Sequence, residues 1–321
     1  MKQLIALFLT AVLLTGCLCA VSAEESKGEN ETMNNDMNDS IQEAIRSETN
    51  PDLKPDNSIP LYYMASSPNP GTIEKIDYTT KDYYGDGAEI TKHAFVYLPW
   101  GYSSEQKYDV LILCHGIGGS EYEWGMTDDK SNVRKIMDKL AERGEIRPFI
   151  VVTPNGRSCK DFANTNGDFN SFYCFGQELR NDLIPWLDSH YSTYGTREHR
   201  FMAGLSMGGM QTINIGMCEC LDLFSAFGAF SAAPTSYPAA TVAAKLEAFP
   251  DLPIRYFYNI CGVHDNIAYA SASAAAKKIC DKTGRLDETN FCWQDVSGIH
   301  DFNVWYLGFY NFARIIGNLP E

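Results

Sequence analysis

Residues 200–215 read RFMAGLSMGGMQTINI. The apolar run Phe201 to Ala203 suits a buried strand. Gly204-Leu205-Ser206-Met207-Gly208 then sets a serine between two glycines, and the spacing of the residues that follow suits a packed helix. A strand that turns sharply into a helix exposes the serine Oγ at the tip of the turn. Small residues are needed around such a strained turn because a Cβ there would clash. A serine hydroxyl is a weak nucleophile until a neighbouring base takes its proton. Ser206 is therefore the candidate nucleophile, with a structural turn as the plainer alternative.

Working outward, apolar runs alternate with helical spacing over the remaining 260 or so residues. Strands are expected at 73–78, 94–98, 109–114, 148–152, 201–203, 227–230, 256–261 and 291–296. Helices are expected at 132–143, 178–190, 207–217, 241–249, 270–282 and 303–317. Such alternation means βαβ crossovers and a mostly parallel central sheet with helices on both faces, an α/β fold. The first strands, joined by short turns, are expected to form the antiparallel edge.

Three further segments complete a candidate site. Leu113-Cys114-His115-Gly116-Ile117-Gly118-Gly119 follows the apolar run Tyr108 to Ile112. Acyl transfer passes through a tetrahedral oxyanion that backbone N–H groups must face, and a glycine-rich turn after a strand can supply one. The second donor would be the N–H of Met207, the residue after the serine. Asp265 lies just beyond the strand at 256–261, and His300 just beyond the strand at 291–296. Both fall where open α/β sheets place their sites. His300 would accept the serine proton, and Asp265 would orient and stabilise the imidazole. Asp295 and Asp301 compete for the acid role, although Asp301 directly follows the histidine and suits the N-cap of the last helix. His264 reads as loop surface, and His115 as a residue that shapes its turn.

The N-terminus opens Met1-Lys2 and runs apolar from Leu4 to Leu14, too short for a stable membrane span. Leu14-Thr15-Gly16-Cys17 resembles a bacterial lipobox, with Cys17 as the lipidation site, while Val21-Ser22-Ala23 offers an ordinary cleavage site. Either predicts export, as a cell-surface lipoprotein or a secreted protein, with a lipid anchor as the membrane contact. Residues 1–23 are thus expected to be a signal peptide and 24–59 a disordered linker, leaving 60–321 as one catalytic domain. Residues 24–58 hold ten acidic and three basic side chains, about half of the net charge of −15. Such a segment cannot bury enough apolar surface to fold alone. The acidic balance, with no basic stripe, excludes nucleic acid as a partner. No spacing of Cys and His suggests a metal site. Export permits disulfides. Cys159 with Cys174, and Cys280 with Cys292, are the candidate pairs, whereas Cys114 and Cys261 read as small buried hydrophobes.

The strings LILCHGIGGSEYEW, PFIVVTPN, TREHRFMAGLSMGGMQTINIG, FSAAPTSYP and GIHDFNVWYLGFYNF together resemble the feruloyl and acetyl esterases of plant cell-wall degradation. These form the esterase-D-like branch of the α/β-hydrolases. Within that family the chain looks most like the feruloyl esterase modules of clostridial xylanases. The resemblance runs from about Ile73 to the C-terminus. It implies Ser206 as nucleophile, His300 as base, Asp265 as acid, and an oxyanion hole from the N–H groups of Ile117 and Met207, with Gly116 as an alternative first donor. It implies no metal and no organic cofactor. The segment from Gly156 to Phe175 departs from the family by its length and its Cys and Asn content, which leaves the substrate open.

The function expected is hydrolysis of hydroxycinnamate esters, such as feruloyl arabinoxylan or a small aromatic ester. Deacetylation of xylan, or cleavage of a siderophore ester, would use the same residues, and a non-catalytic binding lipoprotein is the reading from a different class. Trp124, Phe169, Tyr173 and Trp305 are candidate acyl-pocket residues because aromatic rings stack on one another. Core packing or sugar stacking is the alternative for each.

Overall fold

The computed structural model describes residues 54–128 and 130–320. The predicted signal peptide, Cys17 and most of the predicted linker lie outside them. Burial along each strand decides its place in the sheet. β1 (Thr72–Lys81) buries Ile76, Tyr78 and Thr80 in alternation, as a strand with one solvated face does. It pairs antiparallel with β2 (Glu89–Leu98), from Thr72 opposite Leu98 to Lys81 opposite Glu89. β3 (Val110–Cys114), β4 (Ile150–Pro154), β5 (Arg200–Leu205) and β6 (Ala226–Phe230) are buried at every residue. Both of their faces are covered, as parallel strands require. β7 (Tyr256–Gly262) and β8 (Phe291–Val296) complete an eight-stranded sheet in the order β1-β2-β4-β3-β5-β6-β7-β8. β2 runs antiparallel to β4, and every later pairing is parallel.

Helices cover both faces. α1 (Asn132–Glu142) is capped by the Ser131 side chain, which accepts the Arg134 N–H. The last helix, α6 (Phe302–Ile316), packs beside it on one face through Val133, Ile136, Leu140, Phe309 and Phe312. The other face carries α2, which runs through Phe175–Glu178, a wide turn at Leu179–Leu183 and then Ile184–His190. Pro185 has no N–H to return to the preceding turn, which accounts for the loosened winding just before it. The same face carries α3 (Met207–Gln211, continued as a wide turn through Thr212–Met217), α4 (Ala239–Leu246) and α5 (Tyr269–Thr283). Their apolar side chains form the second core, with Ile213, Val242, Leu246 and Ile279 against Phe227 and Phe257.

The expected strands and helices are all present, with ends shifted by a few residues. Short stretches of 3₁₀ helix at Leu61–Met64, Phe169–Cys174 and Arg197–His199 were not legible, being too short to show a period. The boundary expected at residue 60 also falls late against the observed contacts. The Asp56 N–H donates to Asn311 Oδ1 at 2.9 Å, and its carboxylate accepts from Arg314 at 2.8 Å. All eight cysteines of the described residues are free. Cys280 packs into the core on the α5 face and Cys292 into the core on the opposite face, so the sheet itself separates that candidate pair. Cys159 and Cys174 also remain thiols; burial, then the neighbouring Cys159, raises the Cys174 pKa. Cys114 and Cys261 are buried in β3 and β7 as expected. No helix of the described residues is long and apolar enough to cross a membrane.

Candidate active site

The parallel strands end on one edge of the sheet, and four of those ends bring the predicted residues together. β5 leads directly into Ser206, whose φ of 51° and ψ of −113° lie in a region that non-glycine residues rarely occupy. Such a conformation persists only where the surroundings over-determine it. Here the Ser206 N–H donates to the Phe230 carbonyl at 2.9 Å, and the Ser206 carbonyl accepts from Met210 at 3.0 Å and Ala233 at 2.9 Å. The flanking glycines are steric necessities. A Cβ on Gly204 would lie 2.5 Å from the Gly208 carbonyl carbon, and one on Gly208 would lie 2.6 Å from the Cys114 oxygen.

Ser206 Oγ lies 3.0 Å from His300 Nε2, and His300 Nδ1 lies 2.7 Å from Asp265 Oδ2. The other Asp265 oxygen accepts the Ile267 and Ala268 N–H groups, each at 2.9 Å. Burial pushes the Asp265 pKa up, but the Ala268 N–H, His300 and the Ile267 N–H outweigh it, so the carboxyl is held below its ordinary value. Asp301 does not reach the histidine. It caps α6, accepting the Asn303 N–H at 3.0 Å and the Val304 N–H at 3.5 Å. His264 is exposed, as expected of loop surface.

This arrangement lets experiment separate Asp265 from Asp301. Asp265→Asn is expected to lower kcat/KM by about 10³–10⁴, because the amide cannot hold the required imidazole tautomer. Asp301→Asn, which keeps a capping oxygen, is expected to change kcat/KM less than about twofold, since Asn and Asp cap helices about equally well. A larger loss from Asp301→Asn, measured by steady-state kinetics, would exchange their roles.

The loop after β3 is held by residues that the sequence reading did not single out. The Gly116 N–H donates to Glu123 Oε2 at 2.6 Å, so it is already engaged and unsuited to the donor role considered for it. The Arg157 guanidinium takes the carbonyls of Ile117 and Gly119 and stacks on Phe172. Among the described residues the N–H groups of Ile117 and Met207 have no hydrogen-bond acceptor. His115 is fully buried. It donates from Nδ1 to the Gly116 carbonyl at 2.7 Å and accepts the Gly156 N–H on Nε2 at 2.9 Å. Burial is the main cause that drives its pKa down to about 3. It is thus a neutral brace, as its expected role in shaping the turn requires.

Beneath the loop, Lys92 Nζ donates to the Asn155 and Arg157 carbonyls at 2.8 Å and to the Glu178 carboxylate at 2.7 Å. Tyr78 and Ser158 supply the remaining donors to Glu178, each at 2.6 Å. Buried charges survive only when paired and hydrogen-bonded in this way. No pattern in a single sequence links residues 92, 157 and 178, since β2, the loop after β4 and α2 meet only in the fold.

The aromatic candidates divide. Trp124 is corrected: it is fully buried, packs edge-on against Phe230, Phe302 and Tyr306, and donates its indole N–H to the Cys114 carbonyl at 3.0 Å. It anchors the end of β3 and cannot line an acyl pocket. Trp305 is 7% exposed and meets the His300 ring edge-to-face, with centroids 5.0 Å apart, so it backs the histidine. Phe169 is 44% exposed, and Tyr173 packs on the small apolar cluster of Phe172, Met207, Met210 and Ala233 beside the elbow. Trp124→Ala is expected to cost about 3–5 kcal/mol of stability through the cavity it leaves. The relative kcat/KM among ester substrates should stay the same. Denaturant titration and a substrate panel check both halves.

Residues 89–294 match the family model described as putative esterase, which is most of the catalytic unit. The chain belongs to this esterase family. It is a carboxylic ester hydrolase with an α/β-hydrolase fold. The esterase is 36% identical over 180 residues, 52% of the chain, to endo-1,4-beta-xylanase Y of Acetivibrio thermocellus. It is 33% identical over 157 residues, 47% of the chain, to an endo-1,4-beta-xylanase/feruloyl esterase of Xylanibacter ruminicola. The matches span 15% and 20% of those two longer proteins. Among solved structures, a CE1 ferulic acid esterase of Anaeromyces mucronatus superposes with a TM-score of 0.70 at 25% identity, covering 84% of this esterase and all of that chain. The feruloyl esterase module of Clostridium thermocellum gives 0.64 at 26% identity, covering 81% and 95%.

Proposed function

We propose that this esterase releases hydroxycinnamates such as ferulate from esterified plant cell-wall polysaccharide, with arabinoxylan as the leading substrate, through a Ser206 acyl-enzyme. The observation that carries the mechanism is the unbroken line from Ser206 Oγ through His300 to Asp265, with spacings of 3.0 and 2.7 Å. Ser206 attacks the ester carbonyl as His300 Nε2 takes its proton. The oxyanion is received by the N–H groups of Ile117 and Met207. His300 then protonates the departing sugar oxygen, and water hydrolyses the acyl-enzyme by the same steps in reverse. Two preorganised N–H donors matter because they meet charge only as it develops, and each such donor contributes on the order of 10²–10³ in rate.

The hydroxycinnamoyl preference is supported by the xylanase/feruloyl esterase relative and the two neighbours named above, by the exposed Phe169, and by Tyr173 packed beside the elbow. Offset or edge-on ring contacts add about 0.5–1.5 kcal/mol per pair, roughly twofold to twelvefold, and an acetyl group gains none of this. The expected result is a kcat/KM for methyl ferulate at least tenfold above that for methyl acetate. A ratio below one would assign the esterase to acetylated polysaccharide instead. The N-terminal pattern supports export, with Cys17 as the anchor, which would bring the esterase to a polymer that cannot enter the cell.

A further inference from the structure

A cavity of about 470 Å³ opens between α4, α5 and the turn after β6, and none of Ser206, His300 or Asp265 lines it. Its walls are mostly small and apolar, among them Ala232, Ala239 and Ala272. The alanine-rich run Tyr269–Thr283 explains the space, since two helices facing each other through alanines leave room that larger side chains would fill. Two features make it more than a packing gap. Asn259, on β7, is 3% exposed and lines the cavity, and its Oδ1 is buried without a hydrogen-bond partner among the described residues. A buried acceptor left unmatched is costly, and native structures rarely keep one without a use. Lys278 and Lys282 also line the cavity, one turn apart on α5, and both are exposed. Neither makes an ion pair among the described residues. Like charges at this spacing repel, and an anion between them relieves the repulsion.

We propose that this cavity is a second ligand site for a small amphipathic carboxylate: its anionic head on Lys278 and Lys282, its apolar body along the alanine walls, and a hydroxyl at its far end donating to Asn259 Oδ1. Pockets of this size, apolar with a few convergent polar groups, are typical of small-molecule sites. The site does not depend on which ester the Ser206 centre hydrolyses.

Calorimetric titration of the full chain with 3-(4-hydroxyphenyl)propanoate, its carboxamide and 3-phenylpropanoate tests the assignment. The hydroxy acid should bind tightest. The double variant Lys278→Gln/Lys282→Gln should weaken the acid about fivefold or more and leave the carboxamide unchanged, with hydrolysis of 4-nitrophenyl acetate as in the parent. Asn259→Leu should abolish the preference for the hydroxy acid over 3-phenylpropanoate, a change of about tenfold. Equal affinity of the parent and the lysine variant for the acid, or an acid that binds no better than its carboxamide, would overturn the proposal. The lysine variant alters only exposed positions, so it decides the matter even if Asn259→Leu fails to fold.

Discussion

Ser206→Ala is expected to lower kcat/KM for every ester substrate by about 10⁴-fold or more, with folding unchanged. The size follows from the way the three side chains act as one unit. Without the hydroxyl there is no covalent intermediate, and what survives is oxyanion stabilisation and binding alone. The variant should fold normally because the bonds that pin the elbow run through the Ser206 backbone to Phe230, Met210 and Ala233, not through its Oγ. Near-ultraviolet circular dichroism and denaturant titration check the fold. Retention of more than a tenth of the parent activity would remove Ser206 from the role of nucleophile.

His300→Ala should cost about as much, on the order of 10⁴ or more. Without the imidazole nothing takes the Ser206 proton at 3.0 Å or returns one to the departing alcohol. Steady-state kinetics check the loss, and retention of more than a tenth of the parent kcat/KM would remove His300 from the role of base.

Much of the fold was legible because the signals are long and regular. The continuous apolar runs of β3, β5 and β7 could be read as buried parallel strands, and their ends predicted where Ser206, Asp265 and the loop at His115 would converge. The elbow was legible because only glycine tolerates the contacts at positions 204 and 208. Trp124 was misread because its place in the sequence, nine residues after His115, says nothing about which way its ring points. The chain turns back after Gly119, and the ring enters the core beneath the loop. The braces at Arg157, Glu123 and Lys92–Glu178 were invisible for a related reason: their partners are backbone carbonyls, N–H groups and distant side chains that come together only in the folded chain.

The mechanism places the covalent intermediate on Ser206. Its most direct test is to treat the full-length esterase with an alkyl fluorophosphonate and map the adduct by mass spectrometry of the digested protein. The expected result is one phosphonyl group per chain, located on Ser206, with no labelling of His300→Ala or Ser206→Ala on the same timescale. An adduct on any other residue, or labelling of Ser206→Ala at the parent rate, would contradict it.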